Sequence, residues 1–286
     1  MPEISVIMST YNCGKYIRQA IDSILNQSFR DIEFLIIDDA SNDNTLDIIN
    51  KIAGVDNRIR VFVNPVNLGL TKNLNRLITL AQGKYIARMD ADDIAIPTRL
   101  ETQKSVLDNN PSYDLVFSDT LLIQENGTFI CPSWRPTKLK NILKALEYRN
   151  YIPHPTVMVR KNVFKENLYN EIFKTAQDYE LWKRLYKKGY KFYYVKQILL
   201  EQRIRISSSR NIKGGTLGQS HFFTNEYFEY ANICIWNRHK RNAMKYLKKL
   251  NILEKLIILI KLFIPFKLML LKRYIYCCIV KKYSRN

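Results

Sequence analysis

The sequence predicts an α/β fold, a mostly parallel sheet with helices on both faces, followed by a helical and basic C-terminal extension. Three observations carry that prediction. Short continuous apolar runs alternate with amphipathic helical stretches through the first half of the 286 residues, and strands of that kind belong to parallel sheets covered on both sides. Those runs end in Thr10-Tyr11-Asn12, Asp38-Asp39 and Asp90-Ala91-Asp92, so polar groups collect beyond the carboxyl ends of the strands, where open α/β sheets bind ligands. Finally, much of the net charge of +19 gathers at one end: fourteen Lys and Arg lie from Arg238 onward, opposed there by Glu254 alone.

Each element follows from local pattern. Ile4 to Met8 is a short apolar strand, and Ile17, Ala20, Ile21, Ile24 and Leu25 fall on one face of a helix from about Lys15 to Gln27. Phe34 to Ile37 is a second buried strand. Asn42 to Ile52 reads as a helix with Ser41 or Asp43 as its cap. Val61 to Val63, a helix from Leu70 to Ala81 and the strand Tyr85 to Met89 complete the regular half. A further helix starts near Pro97. The second half is less regular: Leu115 to Phe117 is a strand that Leu121 to Gln124 extends or pairs with, Leu139 to Glu147 is a helix, and the strands Thr156 to Val159 and Phe192 to Val195 flank a helix from Ala176 to Lys188. Residues 203–218, rich in Ser, Gly and Arg, read as a loop, and helices resume near Ser220. The expected domains are 1–218 and 219–286.

Composition narrows the classes. An apolar content of 47% supports a packed core rather than disorder. Cys13, Cys131, Cys234, Cys277 and Cys278 are odd in number and lack zinc-ligand spacing, which fits a reducing, cytosolic setting. No basic region followed by an apolar run opens the chain, so no secretory signal is expected. Tyr11-Asn12-Cys13-Gly14-Lys15 holds a single glycine, and neither GxGxxG nor GxxxxGK[ST] occurs. A dinucleotide-binding or P-loop enzyme would therefore lack its phosphate cradle.

The most informative stretch is Tyr85-Ile86-Ala87-Arg88-Met89-Asp90-Ala91-Asp92-Asp93. An apolar strand that opens into three carboxylates repels itself unless something positive sits there. Mg²⁺ or Mn²⁺ relieves the repulsion and accepts phosphate oxygen as a further ligand. The plainer reading is an acidic loop capping the following helix.

Five blocks then occur in order: Ile4 to Asn12, Ile37-Asp38-Asp39-Ala40-Ser41, Asn67-Leu68-Gly69-Leu70, Gly83 to Asp93, and Gln177-Asp178-Tyr179-Glu180-Leu181-Trp182. Together they resemble the family 2 inverting glycosyltransferases of the GT-A fold, over roughly residues 3–205. The resemblance implies transfer of a sugar from a nucleotide-diphosphate donor, a UDP-sugar first, to an acceptor hydroxyl with inversion. It implies that Thr10, Tyr11, Asn12 and Asp39 line the donor pocket and that Asp90 contacts ribose or donor sugar. Asp92 is then the direct ligand of Mn²⁺ or Mg²⁺, with Asp90 and Asp93 as further candidates. Asp178 is the candidate general base, in the first turn of a helix whose Leu181, Trp182 and Leu185 pack inward; favourable capping of that helix is the alternative. His154, between Pro153 and Pro155, matches a position near donor sugar or diphosphate, or else is a structural hydrogen-bonding histidine. Arg88 and Arg99 contact phosphate or pair with the aspartates, and Trp134 stacks on acceptor sugar or packs in its loop. Two departures stand out. Gln177 replaces a common Glu, and Arg205 stands where many relatives have His, so a loop bearing Arg203, Arg205 and Arg210 is expected to close on the donor rather than ligate metal.

The tail lies outside the resemblance. Ile252 to Val280 is apolar but broken by Lys255, Lys261, Lys267, Lys272 and Arg273, and falls short of the ~18 uninterrupted residues of a spanning helix. Leu256, Leu259, Ile260 and Phe263 recur at helical spacing. An amphipathic element lying on an anionic membrane accounts for both properties; a helix packed on the catalytic domain is the alternative. The expectation is a peripheral enzyme at the cytoplasmic face of the cell membrane, acting on a glycan or lipid-linked acceptor in cell-surface polysaccharide synthesis. A sugar-nucleotide nucleotidyltransferase is the competing enzyme class, though the glycine-rich basic loop common there is missing. A non-catalytic basic module binding nucleic acid or membrane is the other competitor. Nucleic acid is not expected as a partner, because it leaves the acidic strand ends unexplained.

Overall fold

The computed structural model describes residues 1–205, 230, 233–234, 239–250 and 252–263. Arg210, the helix expected from Ser220 and the Cys277-Cys278 pair lie outside the described residues. The chain forms two compact units, one of Met1–Thr120 with Pro136–Gln202, the other of Leu121–Arg135 with the described residues from Arg203 onward.

The regular half of the first unit has the expected alternation: β1 (Ile4–Thr10), α1 (Ile17–Leu25), β2 (Ile32–Asp38), α2 (Thr45–Ala53), β3 (Ile59–Val63), α3 (Leu70–Leu80) and β4 (Tyr85–Arg88). β1 pairs in parallel with β2 and β4, and β2 with β3. Then follow β5 (Ile94–Ala95), α4 (Arg99–Asn109), β6 (Leu115–Ile123), β7 (Phe129–Pro132), α5 (Leu139–Ala145), β8 (Met158–Arg160), α6 (Lys161–Glu166), α7 (Gln177–Lys187) and β9 (Phe192–Arg203). The sheet runs β3-β2-β1-β4-β8-β6-β9-β5, with β7 beside β6. Past β4 the pairing turns antiparallel, at β4–β8, β6–β8 and β5–β9.

Successive side chains of a strand point to opposite faces, and both faces here are covered. Val6 and Met8 of β1 with Phe34 and Ile36 of β2 meet Ile17, Ile21, Ile24 and Ile49 on one side. Ile7, Leu35 and Ile37 meet Leu74, Leu77 and Ile78 of α3 on the other, where Leu181, Trp182 and Leu185 of α7 also pack. That double cover is why the strands read as unbroken apolar runs. β4 is set against β1 by a close approach at Gly83: a Cβ there would lie 2.5 Å from the backbone nitrogen of Ser5. The Gly83 amide donates to Ser5 Oγ (2.8 Å), which donates to the buried Glu33 carboxylate (2.5 Å).

In the second unit β7 pairs antiparallel with the end of β6, Leu122 opposite Cys131. With α8 (Lys240–Met244) and α9 (Ile252–Phe263) it surrounds a core that includes Leu122, Ile130, Cys131, Cys234, Tyr246 and Ile258. Cys13, Cys131 and Cys234 are free thiols. Among the described residues no helix is long and apolar enough to cross a membrane.

Candidate active site

The polar strand ends of the first unit do different jobs. At the end of β1, Thr10 is buried and its Oγ1 has no hydrogen-bond partner among the described residues. Tyr11 is exposed. Asn12 adopts the left-handed region (φ 50°) that asparagine tolerates. Its backbone N–H donates to Ser41 Oγ (3.0 Å), and its Oδ1 accepts from the Asn42 amide (2.8 Å).

The Asp38-Asp39 pair divides its work. Asp38 turns back to accept from the Ser41 amide (3.0 Å) and hydroxyl (2.6 Å). Asp39 accepts from Asn64 Nδ2 (2.7 Å) and the amides of Leu68 and Gly69 (both 2.9 Å). Burial pushes the Asp39 carboxyl up, but hydrogen bonds from Leu68, Asn73, Asn64 and Gly69 outweigh it and hold the group below the ordinary carboxylate range. The second acid of the pair thus pins the β3–α3 loop, where Gly69 has φ 86°. Asn64 and Asn73 support it, since Asn64 Nδ2 also reaches Asn73 Oδ1 (2.7 Å) and Asn73 Nδ2 reaches Ser9 Oγ (3.0 Å). The sequence reading missed both: Asn64 follows β3 and Asn73 lies on the buried face of α3, beside the equally buried polar Thr71 and Asn75.

At the end of β4 the carboxylates converge. Asp90, Asp92 and Asp93 each offer an oxygen within 4.8 Å of the others, with Asp93 buried and the other two half-buried. Two buried arginines underlie them. Arg88 pairs through Nη2 with Asp90 Oδ1, while its Nε and Nη1 have no hydrogen-bond partner among the described residues. Burial pulls its pKa down, but the Asp90 charge wins and raises it. Arg99 donates to the Arg88 carbonyl (2.7 Å), Gln103 Oε1 (3.1 Å) and Met89 Sδ (3.4 Å). Burial and then the Arg88 charge push the Arg99 pKa down to about 9, against the pull of Asp93 and Asp90, so it is still a cation at neutral pH. Arg88 therefore does pair with an aspartate, whereas Arg99 acts on the cluster through its field. Three carboxylates at this spacing form an all-oxygen, hard donor set, which fits Mg²⁺ or Mn²⁺ and not a thiophilic metal.

A second group centres on Tyr169, which no pattern in the sequence singles out. Its hydroxyl lies 2.8 Å from His154 Nε2, and both side chains are buried. The imidazole stands edge-on to Trp182, ring centres 6.0 Å apart. Burial pushes the phenol pKa up; the charges of Asp178 and Asp90 push the same way and Arg88 opposes them. Tyr169 thus feels both the β4 cluster and Asp178. His154 has the structural hydrogen bond foreseen as one of its two readings. Asp178 occupies the first turn of α7, entered through Ala176 at φ 58°. Asn150 Nδ2 donates to Asp178 Oδ2 (3.0 Å), while Asn150 Oδ1 accepts from the Ile152 amide (2.9 Å). A backbone N–H can only donate, so this second bond fixes which end of the Asn150 amide faces the carboxylate. Gln177 is buried beside it.

Arg203, Arg205 and Trp134 belong to the second unit. Arg203 ends β9 and is buried, and its Nη1 donates to the carbonyls of Gln124 (3.2 Å) and Glu125 (2.8 Å). These bonds hold the turn between β6 and β7. Arg205 and Trp134 are half-buried.

Known proteins share this sequence and architecture. The model of the family described as Glycosyl transferase family 2 matches residues 5–194. An uncharacterized glycosyltransferase of Methanocaldococcus jannaschii is 36% identical over 244 residues, covering 79% of this chain and 84% of that protein. The O-antigen biosynthesis glycosyltransferase WbnJ of Escherichia coli is 37% identical over 186 residues, 64% of this chain and 71% of the relative. Among solved structures, S. aureus TarS 1–349 in complex with UDP-GlcNAc superposes with a TM-score of 0.59 at 22% identity, covering 86% of this chain and 72% of that one. The mannosyltransferase PcManGT from Pyrobaculum calidifontis, in complex with GDP-Man and Mn²⁺, gives 0.62 at 14% identity, covering 98% and 86%.

Proposed function

Because this chain belongs to glycosyl transferase family 2, we propose that it is an inverting, divalent-metal-dependent enzyme that moves a sugar from a UDP-sugar to a glycan or lipid-linked acceptor hydroxyl in cell-surface polysaccharide synthesis. The observation that carries the reading is the convergence of Asp90, Asp92 and Asp93 within 4.8 Å at the end of β4. The O-antigen relative and the neighbour bound to UDP-GlcNAc support the pathway class and the donor. The neighbour holding GDP-Man and Mn²⁺ supports the metal and makes a GDP-sugar the donor to test against.

In this reading Asp92, with Asp90 and Asp93, holds Mn²⁺ or Mg²⁺. When bound, the cation supplies positive charge to the departing nucleoside diphosphate. The rest of the work falls to the chain's own side chains. Thr10 Oγ1, buried without a partner among the described residues, serves the donor pocket with Tyr11, Asn12 and Asp39. Arg88 keeps its buried Nε and Nη1 donors for a donor oxygen, and His154 lines the donor side through its bond with Tyr169. Asp178 accepts the proton of the acceptor hydroxyl as that oxygen bonds to the anomeric carbon. The bond from that carbon to the diphosphate breaks on the opposite face, which inverts the centre. The C-terminal extension keeps the enzyme peripheral at the inner, cytoplasmic face of the membrane, where a lipid-linked acceptor is reached.

The test separates chemistry from binding. Asp178→Asn is expected to lower transfer by about 10³-fold, within the range for loss of a general base, while calorimetry finds donor affinity with Mn²⁺ within about twofold of wild type. If transfer and donor affinity fall together, Asp178 is structural and the assignment of the base fails.

A further inference from the structure

α9 carries two apolar faces. Ile258 and Leu262 are buried in the core of the second unit, with Ile257 packed against it. Ile252, Leu256 and Leu259 are 87%, 54% and 37% exposed. At 3.6 residues per turn these three positions fall within an arc of roughly 60°, one continuous stripe along the helix. An anchored helix with a second aliphatic stripe in water is a surface built to be covered.

The charge of the same unit says by what. Lys255 is half-buried on the same helix, and Arg241, Lys245 and Lys249 of the same unit are exposed. From Arg238 onward the sequence carries fourteen cations against Glu254. A second copy of the chain seated on this stripe would bring one cationic unit against another. Nucleic acid would satisfy the cations and leave the aliphatic stripe wet. An anionic bilayer satisfies both, because acyl chains take the stripe while lysine stems follow it and keep their ammonium groups among lipid phosphates. α9, with no described helix able to span a membrane, suits a position in the membrane plane.

We propose that Ile252, Leu256 and Leu259 of α9 insert into the headgroup–acyl boundary of an anionic membrane, with exposed lysines and arginines of the same unit on its phosphates. This deepens the membrane-surface part of the proposed function and is independent of the transfer chemistry. Full-length protein would be sedimented with vesicles of phosphatidylcholine alone and of phosphatidylcholine with phosphatidylglycerol. Wild type is expected to partition onto the anionic vesicles at least about tenfold more strongly. The triple variant Ile252→Ser, Leu256→Ser, Leu259→Ser is expected to lose at least about tenfold of that partition, with its melting temperature and donor binding unchanged. A Leu256→Trp variant reports the seat directly, through blue-shifted emission and quenching by brominated acyl chains. Undiminished partition of the triple variant would mean that charge alone binds and would overturn the insertion. So would indole emission from the Leu256→Trp variant that brominated chains leave unquenched, or a wild-type dimer by light scattering that the triple variant abolishes. Donor calorimetry on the same samples keeps a failure here distinct from a failure of the transferase reading.

Discussion

Asp39 shows how much of a candidate site residue's work is invisible until its neighbours are placed. Its buried carboxylate accepts from Asn64 and from the Leu68 and Gly69 amides, so it anchors the loop that leads into α3. Its folded-state pKa lies below the ordinary value despite burial, because those hydrogen bonds favour the charged form. The sign follows: a depressed carboxyl pKa contributes stability that is present above the unfolded value, near 3.9, and is lost as pH falls through the folded value. Asp39→Asn offers N–H groups to donors that need an acceptor. It is expected to cost about 2–3 kcal/mol at pH 6, the scale of a lost charged hydrogen bond left unsatisfied, measured by urea unfolding. The gap between variant and wild type should narrow at pH 3. A cost that is the same at both pH values would show that the charge on Asp39 does not carry the effect.

At the scale of elements, β4 delivers the carboxylates and Gly83 sets β4. A Cβ at Gly83 would meet the backbone nitrogen of Ser5 at 2.5 Å and the backbone carbon of Ile4 at 2.7 Å, neither of which can move without shifting β1. Gly14 is closer still to a neighbour, at 1.9 Å, but that neighbour is the side-chain oxygen of the exposed Asn44, which can swing away. Gly83→Ala should therefore destabilise by about 1–3 kcal/mol, as overpacking does, and Gly14→Ala by clearly less. Equal melting temperatures for the two variants would remove Gly83 as the register device. The same elements explain what was legible in the sequence. β1, β2 and β4 are buried on both faces, so their apolar runs announced them, along with the acidic tips of β2 and β4. Beyond β4 the pairing is antiparallel. β9 carries the exposed Lys196, Gln197 and Ile198 in its middle, and its run looked finished at Val195. β5 has two residues and α6 six, too few for a period to show. Tyr169 and Asn150 sit outside helices and strands, and only the tertiary fold reveals what they touch.

Over the whole molecule, charge is sorted. Cations dominate the C-terminal stretch, while the β4 tip sets three carboxylates above Arg88 and Arg99. The two arginines already offset much of the acidic repulsion, so a bare divalent cation entering the cluster meets positive charge as well as its ligands. A diphosphate alone meets the carboxylates. In the proposed function, cation and diphosphate together neutralise each other's penalty, so binding of the pair is expected to be more favourable than the sum of the parts. Thermal melting reads this as linkage: a ligand at about 100 times its dissociation constant stabilises by about 2.7 kcal/mol, or roughly 4–5 °C for a chain of this size. Mn²⁺ with a UDP-sugar should produce a shift of that order, and Mn²⁺ or the UDP-sugar alone about 1 °C or less. Asp92→Asn should abolish the joint shift. Shifts from the two ligands that merely add would mean the cation and the donor bind at separate places, and the β4 tip would lose its role as their meeting point.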